Sequence, residues 1–151
     1  MRRIRTPEAP AAVGAYSQAM VAKGELLFTA GQIGLTPEGE LVSGIEAQTY
    51  QVMANLRAIL GAAGCRLVDV VNTKIYLTDE DDFPVVNRIY GEQFEEGGAP
   101  SRECLVVAGI PYKSDTDRAL IEMSMVAEVP EQPKQTTSVL IGAKQLRTPR
   151  Y

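Results

Sequence analysis

The sequence predicts an α+β domain in which a mixed sheet carries two helices on one face, in the order β-β-α-β-α-β-β. Three observations carry this reading. Apolar residues recur three and four apart over residues 45 to 64, apolar and polar residues alternate over 70 to 78 and again over 119 to 128, and Gly and Pro punctuate the intervals. With 151 residues, 45% hydrophobic and 23% charged, the chain has an ordinary globular composition and room for one core. No repeat or long linker divides it, so residues 1–130 are read as a single domain and 131–151 as a C-terminal extension.

The runs Ala19 to Lys23 and Glu25 to Ala30 flank Gly24, and the second ends at Gly31, so they read as a hairpin. Pro37-Glu38-Gly39 marks a turn in the following loop, since proline presets one φ and glycine permits the next. From Ile45 to Gly64, residues Val52, Met53, Leu56, Ile59, Leu60 and Ala63 form one helical stripe, with Gly44 or Ser43 to cap its start and Gly64 its end. Over Val70 to Thr78, Val71, Thr73, Ile75 and Leu77 fall on one side and Val70, Asn72, Lys74 and Tyr76 on the other, as in a strand buried on one face.

Asp79-Glu80-Asp81-Asp82 precede Phe83, Val86, Ile89, Tyr90 and Phe94 at helical spacing. Four successive carboxylates suggest a cation site, but acids at a helix start are favoured by its dipole, and capping is the reading adopted. Strands over Glu103 to Ala108 and Ala119 to Glu128 complete the set. In the last, Ala119, Ile121, Met123, Met125 and Ala127 face the helices, leaving Leu120, Glu122, Ser124, Val126 and Glu128 on the other side. That second face mixes apolar residues with carboxylates, and the chain has no further helix to cover it. A like subunit is the simplest cover, so a homo-oligomer is expected.

The chain has no histidine, which removes the commonest general base and metal ligand and excludes Ser-His, Cys-His and HExxH chemistry. Cys65 and Cys104 are too few for a disulfide framework or a zinc site. Nothing resembles a secretory h-region or a membrane span, so a cytoplasmic location with reduced thiols is expected. The net charge of −4 is unevenly spread: Lys134, Lys144, Arg147 and Arg150 stand against Glu131 in the extension, leaving an acidic body that makes a poor nucleic-acid surface. Within the extension, Thr136 to Ile141 is β-prone and is expected to dock as an edge strand or against a neighbour.

Arg102 and Cys104 stand two apart at the start of a strand and therefore point to one side. Antiparallel pairing across the Pro111 to Arg118 loop would set Glu122 opposite Cys104, and a guanidinium, a thiol and a carboxylate would line one pocket; a one-residue register shift would turn the carboxylate away. Such a pocket suits a small carboxylate substrate, which the guanidinium fork holds while the carboxylate orients a water. The plainer alternative is a cross-strand Arg–Glu pair. Cys104 has no histidine to activate it and reads as a small buried apolar residue.

At these residues the chain resembles the RidA (YjgF) family. The resemblance rests on Ala9-Pro10-Ala11, Gly14-Ala15-Tyr16-Ser17-Gln18-Ala19, Thr29-Ala30-Gly31-Gln32-Ile33, Gln48-Thr49, Asn55-Leu56, Ala63-Gly64, Val86-Asn87, Tyr90, Phe94, Pro100-Ser101-Arg102 and Ile121-Glu122, in order over about residues 8 to 128. It departs from the family pattern at Ala15, Ala30, Ser101 and Met123-Ser124. What it implies is a homotrimer of chorismate-mutase-like subunits of the bacillus type, with clefts between neighbours, no metal and no organic cofactor. It implies hydrolysis of reactive 2-imino or enamino acids to 2-keto acids and ammonia. By resemblance, Arg102 matches the arginine that binds the substrate carboxylate and Glu122 the glutamate that positions water, while Tyr16, Gly31, Asn87 and Cys104 match pocket positions. A family member that binds a small carboxylate metabolite without turning it over is the alternative. RNA cleavage or translation inhibition is disfavoured by the acidic body.

Overall fold

The apolar stripe of residues 45 to 64 folds as α1, Ile45–Ala62, in a computed structural model that describes residues 1–112 and 117–131. Its inner face buries Val52, Met53, Leu56 and Leu60 together with Gln48 and Thr49. Gly44 is the N-cap at φ 82, a backbone angle that tolerates no Cβ easily. At the other end Gly64 has φ 73; its N–H donates to the Gly61 carbonyl and that of Cys65 to the Leu60 carbonyl, which closes the helix as a Schellman motif.

The principal sheet has four strands: β3 (Leu26–Phe28), β4 (Val70–Leu77), β5 (Ser101–Val106) and β6 (Ile121–Glu128), in the spatial order β3-β6-β4-β5. β6 lies antiparallel to both β3 and β4, and β5 lies parallel to β4. Alternation places Ile121, Met123, Met125 and Ala127 of β6 and Thr73, Ile75 and Leu77 of β4 on the core side, under α1 and α2 (Phe83–Gly91). The expected mixed sheet with two helices on one face is therefore observed. The carboxylate run does cap: Asp79 accepts from the Asp81 N–H at 3.0 Å and opens a 3-10 turn, Glu80–Asp82, that leads into α2.

The structure corrects two readings of connectivity. The segments around Gly24 do not form a hairpin: β2 (Ala19–Val21) pairs with β1 (Arg2–Ile4) in a separate ribbon, while β3 pairs with β6. Local turn chemistry suggested a pairing that long-range partners override. β5 and β6 are not neighbours either, because β4 lies between them; a parallel β4–β5 pair needs a crossover, which α2 supplies. β1, which the apolar pattern did not signal, is a short exposed strand of three residues.

The open face of the sheet carries Phe28, Val126, Glu122, Tyr76 and Leu105, with Phe28 69% and Leu105 52% exposed. The β1–β2 ribbon crosses only one end, where the Met1 ammonium lies 3.4 Å from Glu128 Oε1 and the Lys23 N–H donates to Glu128 Oε2. Among the described residues of this face, Leu26, Phe28 and Leu105 stay exposed. The strand expected over residues 136 to 141 lies outside the described residues.

Candidate functional site

Arg102 opens a cluster built by three elements. The Ser17 N–H donates to the Pro100 carbonyl at 2.8 Å and its hydroxyl to the Ala99 carbonyl at 2.6 Å, so the segment carrying Gly14 and Tyr16 is stitched to the start of β5. From α2, Phe83, Asn87 and Tyr90 follow at spacings of four and three, which puts them on one helical face. Cζ of Arg102 lies 5.0 Å from the Tyr90 ring centroid, 5.7 Å from that of Tyr16 and 5.9 Å from that of Phe83. Asn87 Oδ1 is close to the Gly14–Tyr16 turn, 3.8 Å from where a Gly14 Cβ would stand.

Two polar atoms in this cluster, Arg102 Nη1 and Asn87 Oδ1, are buried without a hydrogen-bond partner. Leaving such groups unsatisfied costs about 1–3 kcal/mol each. Among the described residues no carboxylate pairs with Arg102. Cys104, two residues on, shares its side of β5 as the spacing predicts and packs against the core. Burial pushes its thiol above the usual range, and the Arg102 charge offsets this only in part. That is a poor setting for a thiolate nucleophile.

Gly31 and Glu122 form a second cluster. The chain after β3 stays paired with β6, but Phe28 faces Val126 while Gln32 faces Met123, so one extra residue bulges out between them. Gly31 lies in that bulge, and a Cβ there would stand 1.9 Å from Glu122 Oε1: the carboxylate fills the space that only glycine leaves. A cleft of about 350 Å³ lies beyond, between residues 31–37 and α1, where the Asn55 amide donates to the Ile33 and Leu35 carbonyls.

These two clusters point to opposite faces of the sheet, which corrects the single pocket expected from β5–β6 pairing. Arg102 is in register with buried Thr73, on the helix side. Glu122 is in register with Tyr76, on the open side. The structure brings together Arg102 with Cys104, Tyr16 and Asn87, and separately Gly31 with Glu122; one subunit does not unite the two groups that the sequence reading placed in a single pocket. Phe83 entered that reading only as helix core, and Tyr90 as helix core and as part of the family resemblance, neither as a site residue. The spacing of 83, 87 and 90 was the available signal, visible once Asn87 is treated as a site residue. Among the described residues no group of three or more Cys, Asp or Glu is placed to hold a metal.

A mixed sheet backed by two helices, with Arg102 on its edge strand and no carboxylate paired to it among the described residues, defines an α+β subunit, and comparison with known proteins narrows its class. The family model described as Endoribonuclease L-PSP matches residues 6–129. The chain is 45% identical over 133 residues to a RutC family protein of Synechocystis, covering 86% of this chain and 98% of that one. It is 44% identical over 113 residues to the 2-iminobutanoate/2-iminopropanoate deaminase of Rattus norvegicus, covering 74% and 81%. Among solved structures, RidA from an Antarctic Psychrobacter matches with a TM-score of 0.64 at 38% identity over 85% of this chain and all of that one. Escherichia coli TdcF with bound serine matches with a TM-score of 0.62 at 33% identity, covering 85% and 98%. The chain belongs to the RidA/YjgF family.

Proposed function

We propose that this protein hydrolyses 2-imino acids, and their enamine tautomers, to 2-keto acids and ammonia. The observation that carries the reading is Arg102, a partly buried guanidinium with no acid partner among the described residues and an orphaned Nη1. A substrate carboxylate supplies the missing acceptor and is held by two parallel N–H donors. Asn87 Oδ1, the neighbouring orphan, accepts from the imine or ammonia nitrogen.

With the carboxylate fixed, the imine needs little more than a placed water. The water oxygen bonds to the imine carbon as the C=N pair moves to nitrogen, giving a carbinolamine. Glu122 takes one water proton and returns it to nitrogen to complete the carbinolamine. It then carries the carbinolamine hydroxyl proton to the amino group, the C–N bond breaks, and ammonia leaves as the carbonyl re-forms. No organic cofactor or metal enters these steps.

Because Arg102 and Glu122 lie on opposite faces of one subunit, the proposed site is a cleft between subunits, with Arg102, Tyr16, Asn87 and Cys104 from one and Gly31 and Glu122 from the next. The uncovered face bearing Phe28 and Leu105 is the contact surface, and a homotrimer is the proposed assembly. The protein is proposed to act in the cytoplasm; no helix among the described residues is long and apolar enough to cross a membrane.

The relative solved with bound serine favours a second reading, a subunit that holds a small amino or keto acid without turning it over. One experiment separates the two. An amino-acid oxidase generates 2-iminobutanoate in the presence of a slow-reacting imine trap, and release of 2-oxobutanoate and ammonia is followed with and without this protein. Acceleration in proportion to protein concentration supports the deaminase. Binding of 2-oxobutanoate with no acceleration supports the carrier.

A further inference from the structure

Arg102 is enclosed by aromatic rings and is paired with no acid among the described residues. Phe83 and Tyr90 stand two turns apart on one face of α2, and Tyr16 comes from the segment tied to Pro100; all three rings lie within 6 Å of Cζ. A guanidinium is a flat cation with weakly hydrated faces, so rings attract it over those faces while its N–H edge stays free to donate. A carboxylate partner would also orient it, but would occupy the donors that a ligand needs.

The walls are themselves held. Tyr90 is fully buried, its hydroxyl donates to Thr73 Oγ1 at 3.0 Å, and the Phe94 ring packs on it at 4.9 Å. Burial pushes the Tyr90 phenol up to about 12, so it stays a neutral donor. Phe83 is different: it is 40% exposed, more than core packing explains, and its ring still lies beside Arg102.

We propose that Phe83 and Tyr90 are positioning residues that grip the Arg102 guanidinium by its faces and leave its donor edge for the ligand carboxylate. That the ligand is a 2-imino acid rests on the function proposed above; the cage itself does not. Phe83 is the wall to test, because its partial exposure lets it be changed without emptying the core.

The test combines the Nε–Hε NMR signal of Arg102 in the full chain, assigned by its loss in Arg102→Lys, with the Kd for 2-oxobutanoate. Ring currents displace the signal in the wild type. Phe83→Leu should return it toward the free-arginine position and weaken 2-oxobutanoate binding about tenfold, the scale of one desolvated cation–π contact. Phe83→Tyr should restore both, which a merely space-filling role for the side chain would not require. An unmoved signal with unchanged Kd in Phe83→Leu overturns the cage, whatever the activity. A wild type that neither binds the keto acid nor accelerates imine hydrolysis, yet shows the Phe83-dependent displacement, sustains the cage and sinks the deaminase reading alone.

Discussion

Arg102 differs from the other arginines whose contacts the structure gives. Arg88 pairs with Glu46 and Glu92, Arg66 with Asp69, Arg57 donates to the Gln93 amide oxygen and Arg3 to the Gly98 carbonyl, all at the surface where such contacts contribute little. Arg102 has rings around it and a buried nitrogen without an acceptor. Arg102→Lys keeps the charge and loses the fork, so deaminase turnover should fall more than about tenfold, or roughly 1.4 kcal/mol, while the fold persists. Steady-state rates beside a circular dichroism spectrum check this. Glu122 and Cys104 make a contrasting pair. Glu122→Gln should impair hydrolysis far more than 2-oxobutanoate binding, and Cys104→Ser should be mild. Since burial raises the Cys104 thiol, iodoacetamide should alkylate it more slowly than free cysteine at pH 8, with the rate still climbing above pH 9 as thiolate forms. An inactive Cys104→Ser with an active Glu122→Gln would reverse the roles assigned to them.

At the scale of elements, the sequence was most legible where period and punctuation agreed. α1 shows its stripe, its Gly44 start and its Gly64 stop, and all three are realised. Gly64→Ala should cost about 1–2 kcal/mol, because an alanine must then hold a left-handed angle to keep the Cys65-to-Leu60 hydrogen bond. Urea unfolding would read this as a lower midpoint with an unchanged slope. β4 and β6 were equally plain: β6 alternates throughout, and β4 alternates from Val71 on, after an irregularity in its pairing at Val70 that leaves Val70 buried as well. β1 was not, because a three-residue strand of Arg2, Arg3 and Ile4 buries too little to leave an apolar pattern. The need for glycine in the bulge at Gly31 was invisible for a related reason: the group that leaves no room for a Cβ there is the Glu122 carboxylate, ninety-one positions away.

For the molecule as a whole, the uncovered sheet face and the separation of Arg102 from Glu122 lead to one prediction. Val126 lies mid-face on β6, in register with Phe28 and Asn72. Val126→Glu should leave the helix-packed core intact yet split the assembly into 16.4 kDa subunits and abolish turnover, although no candidate site residue is touched. Sedimentation velocity with an activity assay checks both. A fully active monomer would remove the intersubunit site. By itself the sequence determined the α+β class, the helices, the central strands and that Arg102 and Cys104 share a side of β5, since periodicity records what each residue buries locally; that this side faces the helices was decided by the tertiary structure. Nor did the sequence determine which strands are neighbours. Insertion of β4 between β5 and β6 depends on the α2 crossover and on burial shared across the whole sheet, and that tertiary choice turned Glu122 away from Cys104 and toward Gly31.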